Sequence, residues 1–211
     1  MFYCYPNSFT DEVLEVMASD PRFCRYLDMP FQHISDPVLK KMNRKITRKE
    51  IEATMARVRR KLPDVAWRTT FIVGFPTETD QDFEELVDFV SEGHFQHLGI
   101  FLYSDEDNIR SSKFGDPIPL SLKEERKNRL MEIQQKISRE HHQKMVGSLQ
   151  QVLVGGFSSE TDLLLEGRNQ YQGPEVDGVV YINEGNATSA GFHQVEITEA
   201  HEYDLVGKIL N

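Results

Sequence analysis

Residues 68–90 carry a strand-like run, RTTFIV, that stops at Gly74-Phe75-Pro76 and passes at once into Thr-Glu-Thr-Asp, after which Phe83, Leu86, Val87 and Val90 recur at helical spacing. A strand that hands over to a capped helix within one turn is a βα unit. Thr79 or Asp80 serves as the cap, and Gly93 ends the helix. The same order appears on both sides. YLDMPF (26–31) reads as a short strand before an Asp36-Pro37 helix start carrying Val38, Leu39 and Met42. Thr47 and Glu50 form a capping box ahead of Ile51, Met55, Val58 and Leu62, with Pro63 as the stop. FQHLGIFLY (95–103) is a further strand, and Ser121 with Glu124 caps a long helix bearing Leu130, Ile133, Ile137 and Met145. Repeated βα units require right-handed crossovers and give a parallel sheet, open or curled toward a barrel. In such folds ligand-binding groups gather where strands end. Gly74 would let the backbone turn tightly there, although a purely structural turn stays open at this point.

Near residue 145 the period changes. SLQQVLVGGF, TDLLLEG, GVVYIN, HQVEITEA and YDLVGKIL are short alternating runs separated by Gly, Asn, Asp and Ser. About five strands in this length suggest a small closed barrel, a fold that often binds nucleic acid. The charge argues against that use: residues 145–211 hold ten acids against Arg168 and Lys208, so −8 of the chain's net −10 resides there. Polyanions would be repelled and a basic partner favoured, with a merely solvated acidic surface as the alternative. The expected division is 1–145 for the βα part and 146–211 for the barrel.

No stretch approaches the roughly 18 to 20 apolar residues that cross a bilayer, and no basic-then-apolar leader opens the chain, so a cytoplasmic location is the default reading. Cys4 and Cys24 make no CxxC pair and read as two buried free thiols.

Four stretches occur in order: YLDMPFQHISDPVLKKMNR (26–44), TTFIVGFPTETDQDF (69–83), GIFLYSDED (99–107) and PEVDGVVYIN (174–183). Together, across essentially the whole chain, they resemble the radical S-adenosylmethionine (SAM) methylthiotransferases. The YLDxPxQHISD form resembles the branch that modifies an aspartate of the twelfth small-subunit ribosomal protein more than the branch that modifies tRNA. The resemblance implies a partial radical SAM barrel followed by a TRAM domain, a five-stranded antiparallel, OB-like barrel that engages substrate. It implies that SAM and two 4Fe-4S clusters serve the full-length enzyme. One cluster cleaves SAM to a 5'-deoxyadenosyl radical that abstracts hydrogen from an unactivated carbon, the other takes part in sulfur delivery, and a further SAM donates the methyl group. A basic ribosomal protein or the small subunit is then the partner, tRNA is disfavoured, and no membrane is involved.

The family's CxxxCxxC loop is not in this sequence. MFYCYPNSF (1–9) resembles the end of an internal barrel strand, so the chain reads as the C-terminal half or so of a larger enzyme and is expected to be inactive alone; a non-catalytic protein-binding module is the alternative. By the resemblance the strand 68–74 lies along SAM. Alternation puts Arg68, Thr70 and Ile72 on one face, for a carboxylate, a hydrogen bond and adenine in turn. Gln32 and Ser35 are candidates for the sugar or amino-acid moiety, and Tyr103 for a stacking or hydrogen-bonding rim. No catalytic or metal-ligating residue is assigned. His33 is open between ligand or base and structural histidine, while His141 and His142 lack zinc spacing. Thr77 replaces the glycine of the family's PGET turn, where a positive φ would be uncomfortable. The cations from Lys40 to Lys61 read either as a solvated helix face or as a surface for ribosomal RNA.

Overall fold

The computed structural model describes residues 1–106, 111–185, 187 and 190–210, so Asp107 at the end of GIFLYSDED lies outside the described residues. Two compact units emerge, residues 1–23 with 27–134 and residues 24–26 with 135–211. Unit 1 contains α1 (Asp11–Ser19), β1 (Tyr26–Asp28) from its second residue on, α2 (Asp36–Lys41), α3 (Arg48–Lys61), β2 (Ala66–Val73), α4 (Asp80–Ser91), β3 (His97–Leu102) and the first part of α5 (Leu120–Gln143). The sheet order is β1-β2-β3. β2 and β3 run parallel in register, Arg68 opposite His97 and Val73 opposite Leu102, the arrangement that βα crossovers require. β1 is shorter than the 26–31 stretch suggests, but the chain stays beside β2 as far as Gln32, which bridges Phe71 in parallel sense. On the other flank of β1, the Asp28 amide donates to the Met1 carbonyl and Cys4 donates to the Asp28 carbonyl, both at 2.9 Å.

The local signals act as physical chemistry dictates, with two shifts. Thr47 with Glu50, and Thr79 with Asp82, form reciprocal capping boxes. For α2 the cap is Ser35, one residue before the expected Asp36, because Pro37 lies inside the first turn and the Asp36 carboxylate instead accepts the Arg48 amide at 2.6 Å. α5 begins at Leu120, so Ser121 is already helical; the Pro119 carbonyl accepts the Leu122 and Lys123 amides and takes over the start. α1, absent from the sequence reading, buries only Leu14 and Met17, too few apolar positions to stand out as a period.

Trp67, Phe71 and Val73 of β2 project into the main core with Phe31, Phe89 and Phe95. Phe95 is the hub of this cluster, its ring 6.1 Å from Phe31, 6.0 Å from Phe71 and 5.8 Å from Phe89, within the range of favourable tilted contacts. Arg68, Thr70 and Ile72 therefore share the opposite face of β2, as alternation requires.

Unit 2 holds a closed barrel of β4 (Leu149–Phe157), β5 (Leu165–Arg168), β6 (Val180–Glu184), β7 (Gly191–Ala200) and β8 (Leu205–Ile209), in the order β4-β5-β6-β8-β7. Its interior is the alternating set Val152, Val154, Val180, Ile182, Val195, Ile197, Leu205 and Ile209. The expectation of a wholly antiparallel barrel is corrected at one seam: β6 and β8 pair in parallel, because β7 intervenes in sequence and β8 must return in the direction of β6 to close the sheet. At Gly207 a Cβ would lie 2.5 Å from Val195 Cγ1 and 2.7 Å from the Glu196 carbonyl oxygen, so the barrel closes only with hydrogen there. Gly207→Ala should lower stability by about 1 to 3 kcal/mol, read as a reduced urea midpoint in far-ultraviolet circular dichroism with the native spectrum retained at zero denaturant.

Candidate functional site

At the carboxyl ends of β1 to β3 a cavity of about 550 Å³ opens between the strand ends and the segment after α2. Its floor is apolar: Ile72 and Leu102 from the strands, and Phe75 edge-on to Tyr103 at 5.3 Å between ring centres. Gln32 supplies a polar group on one wall, Lys41 and Arg44 lie on the rim, and Glu106 is the one carboxylate among the described lining residues.

The wall is positioned by the turn after β2. Gly74 has φ +75°, and a Cβ there would run into the stem of Lys123, so the position calls for glycine on two counts. The next two residues are fixed by a buried carboxylate. Glu78 accepts the amides of Gly74 at 2.6 Å and Phe75 at 3.1 Å, and its other oxygen accepts Arg126 from α5 at 2.8 Å. Arg126 also donates to Asp80 at 2.6 Å and lies over the Phe83 ring. Burial pushes the Glu78 carboxyl above the ordinary carboxylate range, while Arg126 and the two amides pull it back. Lys123, itself buried, donates to the Tyr103 carbonyl at 2.9 Å and to Asp116 at 2.6 Å. Hence α5 sets both sides of the floor, Phe75 through Glu78 and Tyr103 through Lys123.

Gln32 sits at φ +74°, uncommon for a residue with a side chain. Its amide donates to the Thr70 carbonyl and its carbonyl accepts the Ile72 amide, both at 2.9 Å. Two ladder bonds thus hold a conformation costing roughly 1 to 3 kcal/mol at the edge of the cavity.

Of the six residues singled out from sequence, Gln32, Ile72 and Tyr103 line this cavity. Arg68 and Thr70 share the Ile72 face but lie further back along β2, where Arg68 donates to Asp28 at 3.3 Å and to the Thr70 hydroxyl at 3.4 Å. Ser35 is fully buried, and its hydroxyl donates to Asp82. His33 is also fully buried; its Nδ1 accepts the Ser35 amide at 3.0 Å, which leaves the proton on Nε2. Burial lowers its pKa to about 4, with Asp82 opposing. For Asp82, burial is outweighed by the bonds from Ser35 and Thr79, which hold it below the usual range. Thr77 is not among the positive-φ residues; the left-handed turn falls at Gly74 instead. Phe75, Leu102, Lys41 and Arg44 were not singled out as ligand contacts, although Phe75 stands inside the motif and the two cations inside the basic cluster. That cluster disperses: Arg48 pairs with Glu52, Arg57 with Asp11 and Lys61 with Glu15, while Arg59 donates to the His94 carbonyl.

The expected pair of buried thiols is corrected. Cys4 is buried, with its thiol pushed up by burial, but Cys24 in the short 20–25 connection is exposed. Among the described residues no group of three or more His, Cys, Asp or Glu is placed to hold a metal ion, and no helix is long and apolar enough to cross a membrane.

Such a cavity suits a ligand with a flat apolar ring and a polar or anionic end. Comparison with known proteins narrows this. Residues 2–90 match the radical SAM superfamily and residues 146–210 match the TRAM domain. The curated protein "Ribosomal protein uS12 methylthiotransferase RimO" of Geobacter sulfurreducens is 42% identical over 211 residues, 100% of this chain and 47% of its own length. The protein of the same name from Bdellovibrio bacteriovorus is 48% identical over 210 residues, 100% of this chain and 46% of its length. The chain is a RimO homologue. It spans about half the length of the curated relatives it matches and aligns with their C-terminal half. A solved structure, coproporphyrinogen III oxidase (HemN) from Escherichia coli, described as a radical SAM enzyme, superposes with TM-score 0.54 at 16% identity, covering 80% of this chain and 45% of the other. That likeness concerns the fold.

Two outcomes test this geometry. Arg126→Met leaves Glu78 as a buried carboxylate without its cation and should cost about 3 to 5 kcal/mol, measured by urea unfolding. His33 gains its proton in the unfolded chain from about pH 6.5 downward but in the folded chain only near pH 4. Its contribution is therefore complete above pH 6.5 and falls as pH drops, by roughly 3 kcal/mol in total. His33→Gln should flatten that part of the stability profile between pH 6.5 and 4; an unchanged slope would refute the assignment.

Proposed function

We propose that this chain forms the SAM-binding and substrate-docking part of a methylthiotransferase that places a methylthio group on the β-carbon of an aspartate in ribosomal protein uS12, working in the cytoplasm. The observation that carries the reading is the combination of two things: full-length alignment of the chain with RimO relatives at 42 to 48% identity, and a cavity at the strand ends with a flat apolar floor and a polar wall.

The residues fit SAM. Ile72, Phe75 and Tyr103 offer apolar surface to the adenine ring, and Gln32 offers hydrogen bonds to the ribose or amino-acid moiety. Arg68 and Thr70, further back on the same face, are proposed to meet the polar end of the cofactor if it reaches along β2. In the whole protein SAM and two 4Fe-4S clusters supply the radical, sulfur and methyl chemistry. The thiolates for those clusters do not come from this chain, since Cys4 is buried and Cys24 is exposed and distant in sequence. The part played by these residues is accordingly to bind, orient and exclude water, and the chain alone is expected to show no turnover.

The TRAM barrel is assigned to the protein substrate. Its ten carboxylates against two cations suit a basic ribosomal protein and oppose a tRNA backbone. Titrating the chain separately with uS12 and with bulk tRNA at several salt concentrations tests this. Binding to uS12 that weakens as salt rises is expected. Binding to tRNA alone would move the assignment to the tRNA-modifying branch, and binding to neither would remove the docking role.

A further inference from the structure

We infer that Lys41 and Arg44 form a carboxylate-binding site on the rim of the strand-end cavity, and that the group they receive is the side-chain carboxylate of the acidic residue to be modified. The choice of ligand rests on the methylthiotransferase reading above; the site rests on the geometry.

Of the ten cations from Lys40 to Lys61, four are spent on acids or carbonyls: Arg48, Arg57, Arg59 and Lys61. Lys41 and Arg44 have no such partner among the described residues, and they are the two of the ten that line the cavity. Among the described residues their charged ends lie over ring faces, Lys41 Nζ 5.5 Å from the centre of Phe114 and the Arg44 guanidinium 5.8 Å from the centre of Tyr5. A ring face orients a cation without neutralising it, and a guanidinium lying over a ring keeps its N–H edges free for a planar anion. Among the described residues Glu106 on the cavity wall forms no ion pair with either.

Their direction is fixed by the backbone. α2 ends in a left-handed reversal at Asn43, φ +58°, with the Arg44 amide donating to the Leu39 carbonyl at 2.9 Å and the Met42 amide donating to Val38 at 2.8 Å. This six-to-one closure turns the chain back within two residues, so Lys41 before the reversal and Arg44 after it reach the same cavity. The floor opposite them is aromatic and aliphatic, a setting in which a charge pair is stronger than in open water. Lys41 is exposed and Arg44 half-buried, so the site meets a group arriving from solvent. A carboxylate held there leaves the adjacent carbon one bond away, over the cavity, which is the positioning that modification next to a carboxyl group needs.

The test uses the 211-residue chain with N-acetyl-aspartyl methylamide and its asparaginyl counterpart, followed by NMR, against the double variant Lys41→Met, Arg44→Met, which keeps the aliphatic stems against Phe114 and Tyr5. The aspartyl probe should bind about tenfold more tightly than the asparaginyl one. The double variant should lose that preference at an unchanged unfolding midpoint, and Arg44→Lys should recover part of it. Equal binding of the two probes, or a preference that survives in the double variant, overturns the site. SAM titrated in parallel separates the other source of a carboxylate. Affinity for SAM unchanged in the double variant supports the substrate assignment, and loss of SAM binding without any aspartyl preference overturns it. Aspartyl preference in a chain that fails to bind uS12 would uphold the site while removing the proposed function.

Discussion

A carboxylate taken out of water must find its compensation nearby, and Glu78 finds it from two directions: backbone amides at the end of β2, and a guanidinium from a helix far along the chain. Desolvation alone would expel such a group or neutralise it. The compensation is therefore what keeps the turn at Gly74 and Phe75 closed, and the turn is what gives the cavity its floor. Lys123 does the complementary task one helical turn away, filling the space that Gly74 leaves empty and holding the Tyr103 carbonyl. Remove α5 and neither aromatic of the floor has a fixed place. At the abrupt Gly-x-Pro turn, the backbone geometry that needs glycine also brings Phe75 to the cavity.

The same logic runs through the rest of unit 1. Alternation on β2 divides its residues between a dense aromatic core around Phe95 and a face that carries Arg68, Thr70 and Ile72. The core face is packed with Trp67, Phe71 and Val73, and Ile72 on the other face is the one that reaches the cavity. Ser35 and His33 show how position overrides residue type. Both are polar and close in sequence to Gln32, yet their atoms serve the packing between the β1 connection and α4.

Much of this was legible in the sequence because it depends on local rules. The βα order, the Thr47 and Thr79 caps, the break at Gly93, the five barrel strands and the face shared by Arg68, Thr70 and Ile72 follow from spacing and turn chemistry alone. What escaped depends on contacts distant in sequence. Nothing within a few residues of Glu78 reveals that its partner is Arg126, and nothing around Lys41 reveals that Lys61 pairs with Glu15 while Lys41 faces a cavity. The parallel β6–β8 seam is of the same kind, since strand direction within a closed barrel is set by the whole circuit. The shift of the α2 cap from Asp36 to Ser35 has nearer causes: both residue types favour caps, but Pro37 lies inside the first turn and the Asp36 carboxylate is engaged by the Arg48 amide.

The anchoring of both ends of the segment between β3 and α5 bears on how such a scaffold diversifies. Lys123 ties Tyr103, at the start of the segment, and Asp116, near its end, to a single side chain of the helix. The cavity floor is indexed to α5 and not to the stretch of chain between those anchors. Changes of length or composition between the two anchors can then accumulate among relatives while the anchors of the floor stay in place, which separates the evolution of a connection from the evolution of the cavity it borders.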